Sequence, residues 1–152
     1  MRTLTPIDDQ PTNTTALVFD YGERRVGAAY ANRLSGSAEA LKTLITTDPT
    51  SFDAELAKLI REWSPDTIVI GVPYNDDGTE SDLAKKAIEF GARLAQQFGL
   101  PVEQVDERLT SMEARQILNE QRRSGQRRRK IRREDIDSLA ARLIAESWLR
   151  DN

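Results

Sequence analysis

Residues 16–31 read ALVFDYGERRVGAAYA, from Ala16-Leu17-Val18-Phe19-Asp20 through Tyr21-Gly22-Glu23-Arg24 to Arg25-Val26-Gly27-Ala28-Ala29-Tyr30-Ala31. An apolar run that ends in an acid and a Tyr-Gly pair is the pattern of a buried strand entering a turn. Arg25 to Ala31 is mostly apolar again and reads as a second strand. Strands joined by so tight a turn pair antiparallel. The fold therefore opens on a hairpin, and Asp20 stands where its first buried strand ends.

The rest of the chain extends this start. Ala40 to Thr46 (ALKTLIT) reads as a third strand, with apolar residues only loosely periodic. Asp48-Pro49 then opens a helix whose Phe52, Leu56, Leu59, Ile60 and Trp63 recur at spacings of 3 and 4, ending before Ser64-Pro65. Thr67 to Val72 (TIVIGV) has the composition of a strand buried on both faces. A polar loop from Pro73 to Thr79 leads to a helix over about Glu80–Phe98, with Leu83, Ala87, Phe90 and Leu94 on one face. Gly99 caps that helix and Pro101 forbids its continuation. Val102 to Glu107 (VEQVDE) reads as a last buried strand. Thr110-Ser111-Met112-Glu113 has the capping-box pattern of a further helix reaching about Arg122. A final helix is expected from Glu134 or Asp135 through Leu139, Leu143, Ile144 and Trp148.

This order predicts an α/β fold: a mixed sheet of five strands or fewer, an antiparallel meander followed by parallel crossovers, with helices on both faces. Residues 16–152 form one domain, preceded by a flexible tail over residues 1–15 and interrupted by a mobile basic loop over residues 121–133. The tail has no apolar stretch and does not read as a secretory signal. Apolar runs such as Ile68–Val72 fall far short of the ~18 residues that argue for a membrane span. The expected location is cytoplasmic, with no membrane partner.

The sequence contains neither cysteine nor histidine. That excludes disulfides, thiolate nucleophiles, Cys- or His-ligated metals and every Ser-His or Cys-His mechanism. Any chemistry has to come from carboxylates, hydroxyls, Lys/Arg or a hard cation held by oxygen. The net charge of −3 hides an uneven distribution. Arg122, Arg123, Arg127, Arg128, Arg129, Lys130, Arg132 and Arg133 form a run free of acids, while the remainder is strongly acidic. One dense basic strip on an acidic body suits a polyanionic partner gripped locally.

Three carboxylate stations stand where strands or helices end. Asp20 closes the first strand, Asp106 and Glu107 close the last, and Asp137 lies in the first turns of the final helix. A lone acid in such a place is commonly a turn former or a cap. Like charges brought together at one sheet edge would destabilise the fold unless a cation neutralised them, and oxygen ligands alone select Mg²⁺ or Mn²⁺. Spacing does not establish that the three converge.

Several blocks carry a family resemblance. Asp20-Tyr-Gly22-Glu-Arg-Arg25-Val-Gly27 is similar to the Asp-x-Gly-x-x-Arg-x-Gly signature that opens the YqgF (RuvX) family. Gly71-Val-Pro73 with Gly78 and Ser81 resembles its second block. Val105-Asp106-Glu107-Arg108-Leu109-Thr110-Ser111 with Glu113-Ala114-Arg115 resembles its third, and Asp137-Ser138-Leu139-Ala140-Ala141 its fourth. The blocks arrive in the family's order and span about Ala16 to Trp148.

The resemblance implies an RNase H-like fold and a metal-dependent nuclease that hydrolyses phosphodiester bonds. Its Mg²⁺ or Mn²⁺ would be held by Asp20, one acid of the Asp106/Glu107 pair and Asp137. Strand alternation puts Asp106 and Glu107 on opposite faces, which favours Glu107 without excluding Asp106. Arg25 and Arg108 suit phosphate contacts, as do Thr110 and Ser111 at a helix N-terminus and Arg127, Arg128, Arg129 and Lys130 in the basic loop. The implied substrate is nucleic acid. Processing of the 5′ end of precursor 16S ribosomal RNA in ribosome biogenesis is preferred. Resolution of four-way (Holliday) DNA junctions in recombination and a non-catalytic nucleic-acid-binding module are the alternatives. A monomer or a homodimer is expected, the dimer being what junction cutting would require.

Overall fold

The computed structural model describes residues 14–107, Ile117, Glu120 and 133–150, the last helix by its backbone alone up to residue 138. Five strands form one sheet: β1 (Thr15–Tyr21), β2 (Arg25–Asn32), β3 (Ser37–Ile45), β4 (Thr67–Val72) and β5 (Val102–Asp106). Three helices are described: α1 (Pro49–Trp63), α2 (Asp82–Phe98) and α3 (Arg133–Arg150). The strand order is β3-β2-β1-β4-β5. β1 and β2 pair antiparallel with Asp20 opposite Gly27, and β3 continues the meander. β4 joins β1 in parallel and β5 joins β4 in parallel. This is the mixed sheet that the sequence predicts.

Local chemistry explains the boundaries. The turn after β1 closes tightly because position 22 lacks a side chain: a Cβ there would lie 2.6 Å from the Arg25 carbonyl oxygen. Asp48 caps α1, accepting from the backbone N–H groups of Thr50 and Ser51 at 3.2 and 3.4 Å, with Pro49 in the first turn. At the other end Ser64, not a glycine, takes the left-handed cap (φ 43°). Ser81 accepts from Ala84 N–H at 3.0 Å to cap α2, while its hydroxyl donates to the Pro73 carbonyl at 2.9 Å. One serine thus starts a helix and ties down the loop that leaves β4.

The two faces of the sheet build two cores. Leu17, Phe19, Ile68, Ile70 and Val72 pack with Phe52 and Leu56 of α1 and Phe90 and Leu94 of α2. Ala16, Val18, Ala29, Ala31 and Val69 pack against Ala141, Ile144, Ala145 and Trp148 of α3. Small residues on this second face let α3 lie close to the sheet. Trp148 is fully buried there and donates to Glu103 at 3.1 Å, with the Arg33 guanidinium stacked 3.7 Å from its ring centroid.

Several boundaries differ from expectation. Thr14 and Thr15 are not tail: Thr15 begins β1, and both backbone N–H groups donate to the Asp66 carboxylate. β3 begins at Ser37, α2 at Asp82 and α3 at Arg133, so the expected basic loop yields its last residue to a helix. β5 is half exposed rather than buried, because it is the outer strand of the sheet. The rest of the 121–133 stretch, residues 1–13 and the Thr110–Glu113 capping box lie outside the described residues.

Candidate active site

The C-terminal ends of the parallel strands β1, β4 and β5 lie along one edge of the sheet. Strand order changes direction between β1 and β4, and the crevice outside the carboxyl ends at such a point is the usual binding place in open α/β sheets. Asp20 is the penultimate residue of β1, and Glu107 immediately follows β5.

Side-chain alternation decides which acids meet there. In β1, Ala16 and Val18 face α3, and Asp20 continues that face. In β5, Val105 packs with the same core, so Glu107 points the same way and Asp106 the opposite way. Asp106 is exposed, whereas Glu107 is buried, with 6% of its surface accessible. The Glu107 N–H donates to the Val72 carbonyl at 3.1 Å, extending the β4–β5 pairing by one residue and fixing where its side chain starts.

Glu107 and Asp20 share a hydrogen bond. The strands that carry them are not neighbours, because β4 runs between them. Adjacent strands lie about 4.8 Å apart, so the two side chains meet across roughly 10 Å of sheet. They do so over Gly71, which is paired directly with Asp20 on one side and with Val105 on the other. A Cβ at position 71 would lie 2.7 Å from Glu107 Oε2. Burial, then the charge of Asp20 and its hydrogen bond, then the charge of Asp106 push the Glu107 carboxyl up to about 10. Glu107 therefore holds a proton at neutral pH and donates it to Asp20.

On the α2 side of the same edge, a cleft of about 480 Å³ is lined by Gly22, Glu23, Arg24, Arg25, Asp82, Leu83 and Lys86. Arg25, half-buried at the start of β2, is one of these lining residues. Lys86 and Glu23 form an ion pair that ties the hairpin turn to α2. Each keeps the other charged: the Glu23 carboxyl sits below its ordinary range and the Lys86 ammonium above its own. Both are exposed, so the pair adds little stability. The sequence alone does not point to Lys86, since nothing in it announces a pairing with Glu23 that spans 63 residues.

Asp137 lies in the first turns of α3, four residues before Ala141 and seven before Ile144. Its side chain, like Arg108, Thr110, Ser111, Arg127, Arg128, Arg129 and Lys130, lies outside the described residues. Among the described residues no cluster of three or more metal-ligating side chains is present. The donor set that is described, two adjoining carboxylates without nitrogen or sulfur, fits a hard divalent cation.

The family model described as "RuvX: Holliday junction resolvase" matches residues 14–151. The chain belongs to the RuvX family. Relatives described as "Putative pre-16S rRNA nuclease" include one from Saccharophagus degradans, 39% identical over 93% of this chain and 96% of its own. A second, from Chromohalobacter salexigens, is 43% identical over 90% and 89%. Among solved structures, RuvC of T. thermophilus in complex with a Holliday junction substrate aligns with a TM-score of 0.55 at 15% identity, covering 91% of this chain and 96% of that one. The fowlpox virus resolvase in complex with junction DNA aligns at 0.54 and 11%, covering 90% and 97%. At such identities the likeness concerns the fold, and it makes this RuvX-family chain RNase H-like. No described helix is long and apolar enough to cross a membrane.

Proposed function

We propose that this chain is a metal-dependent nuclease acting on the 5′ end of precursor 16S ribosomal RNA, with Asp20 and Glu107 at its reacting centre and Asp137 as the third acid. The observation that carries this reading is the buried Glu107 carboxyl held against Asp20 at the carboxyl edge of the parallel strands. A buried acid with a strongly raised pKa beside a second carboxylate is costly to the fold, and such costs gather at functional sites. The names of relatives about 40% identical over nearly the whole chain support the RNA substrate.

In a hydrolysis the nucleophile is water, and without histidine or cysteine its activation falls to the carboxylates and a bound cation. Its oxygen bonds to phosphorus, and one ester P–O bond breaks to leave a phosphomonoester and a hydroxyl. A divalent ion, Mg²⁺ or Mn²⁺, would sit on the Asp20 and Glu107 oxygens and supply Lewis-acid stabilisation and a more acidic water. Asp20 would hold that ion from the end of β1. Glu107 must release its proton for its carboxylate to serve as a ligand. Arg24, Arg25 and Lys86 line a cleft on the other side of the same sheet edge, and there they bind backbone phosphates away from the bond that is cut. Arg108, Thr110, Ser111, Arg127, Arg128, Arg129 and Lys130 extend that grip in this proposal.

The family description favours a second reading, cleavage of four-way DNA junctions. That activity would need a symmetric dimer placing two sites across the branch point. The test is incubation of the purified protein with a labelled precursor RNA leader and a synthetic junction, each with Mg²⁺, Mn²⁺ or EDTA, beside Asp20→Asn. Metal-dependent cutting of the RNA alone, lost in Asp20→Asn, supports the proposal. Cutting of the junction alone by a dimer moves the assignment to DNA, and salt-sensitive binding without cleavage leaves a binding module.

A further inference from the structure

β4 crosses between the two acid-bearing strands, and the residue at the crossing is Gly71. The space that its side chain would fill is taken from two directions. A Cβ there would overlap Ile144 Cδ1, would stand 3.2 Å from Ile144 Cγ1, and would press on Glu107 Oε2 at 2.7 Å. Real Cβ atoms do not approach neighbours so closely, so any side chain at 71 has to displace either the carboxyl or the helix. Ile144 is fully buried and belongs to α3, the same helix that carries Asp137.

We infer that Gly71 is a positioning residue for hydrolysis: its bare backbone is the seat that fixes the Glu107 carboxyl against Asp20, and Ile144 of α3 closes that seat from above. The seat registers α3 and the acid against the same strand atom, so the helix and the reacting carboxyl are placed together. The inference rests on the proposed reading of Asp20 and Glu107 as the reacting pair. The described glycines include a natural comparator. A Cβ at Gly91 of α2 would meet Ile70 Cγ1 and Val102 Cγ1 at 3.1 Å, apolar groups away from both acids. Crowding there strains packing without touching chemistry.

The experiment compares Gly71→Ala, Gly91→Ala, Gly71→Ala/Ile144→Val and Glu107→Gln for Tm, kcat, KM and equilibrium binding of the RNA leader. Ile144→Val removes the methyl that the new Cβ would strike and leaves the pressure on Glu107. A displacement near 1 Å lowers catalysis by about 100-fold, so Gly71→Ala should lose about that in kcat with KM and binding near wild type. Gly91→Ala should lower Tm and leave kcat alone. The double variant should recover Tm without recovering kcat, and it carries the comparison if Gly71→Ala does not fold. Wild-type kcat in Gly71→Ala, or a kcat that returns together with Tm in the double variant, overturns the role of Gly71. Full activity in Glu107→Gln overturns the acid-pair reading itself and is a separate failure.

Discussion

Glu107 and Asp20 share a hydrogen bond although a whole strand separates theirs. Two structural facts allow it. Glutamate has one methylene more than aspartate, and β4 offers a glycine at the crossing. Shortening the reach should therefore break the pair even with the charge retained. Glu107→Asp is expected to lose at least about 100-fold in kcat, the scale of loss for a group displaced by ~1 Å. It should also lose the strongly raised carboxyl titration that carbon-13 NMR would follow in the wild type. Retention of both would show that the contact is not geometrically demanding.

The same pair makes stability depend on pH. The Glu107 carboxyl is raised from its ordinary 4.5 to about 10, chiefly by burial and then by Asp20. Between those values the folded protein holds a proton that the unfolded chain has released, so stability falls as pH rises. The contribution is complete below about pH 4.5 and is lost progressively, vanishing near pH 10. Each unit within the window removes up to about 1.4 kcal/mol. Glu107→Gln keeps a hydrogen-bond donor toward Asp20 and cannot ionise. In EDTA its Tm should match wild type near pH 5 and exceed it at pH 8 by on the order of 10 °C, three units at up to about 1.4 kcal/mol each and roughly 2–4 °C per kcal/mol. Parallel Tm profiles across that range would contradict the raised carboxyl.

Asp106 provides the counter-experiment. It neighbours Glu107 in sequence, but it is exposed and faces the α2 side of the sheet, away from Asp20. Asp106→Asn is expected to keep kcat within about twofold, a loss well below the 10²–10⁴ of a general acid–base group. A loss comparable to that of Glu107→Gln would mean that the acids of β5 exchange faces during the reaction.

How much of this is legible without the fold is uneven. The hairpin, the meander and the parallel crossovers follow from the Ala16–Ala31 stretch and the alternation after it, because strand and helix periods are local properties of the chain. Alternation also separates Asp106 from Glu107. The exposure of β5 is half legible: Glu103, Gln104 and Asp106 do not suit a strand buried on both faces, but its place as the outer strand is a long-range property that local sequence does not carry. The role of Gly71 is half visible. A glycine inside Thr67–Val72 signals close approach of another group, but only the strand order reveals that the group is a carboxyl from β5. Lys86 and Glu23 meet through the packing of α2 on the hairpin turn, a pairing with no counterpart in local sequence.

The cleft makes a prediction about salt. Arg24, Arg25 and Lys86 line it, and Lys86 is held there by Glu23. Lys86→Ala should weaken binding of single-stranded RNA and reduce the slope of log affinity against log salt by about 0.7, the value when one phosphate is no longer neutralised. Glu23→Gln releases Lys86 from its partner and should strengthen binding with the slope unchanged. An unaltered slope in Lys86→Ala would remove the cleft from the path of the backbone.

Metal binding should release a proton. The cation that suits the Asp20 and Glu107 oxygens competes with the proton Glu107 holds, because ligand carboxylates have to be ionised. Below the raised titration of about 10, affinity for Mn²⁺ should rise by about tenfold per pH unit, the signature of one proton displaced per ion. Calorimetry of Mn²⁺ binding in two buffers of different ionisation enthalpy would count that proton directly. Glu107→Gln should bind Mn²⁺ weakly and release none. Wild-type binding without proton release would place the ion elsewhere and leave the Asp20–Glu107 hydrogen bond intact beneath it.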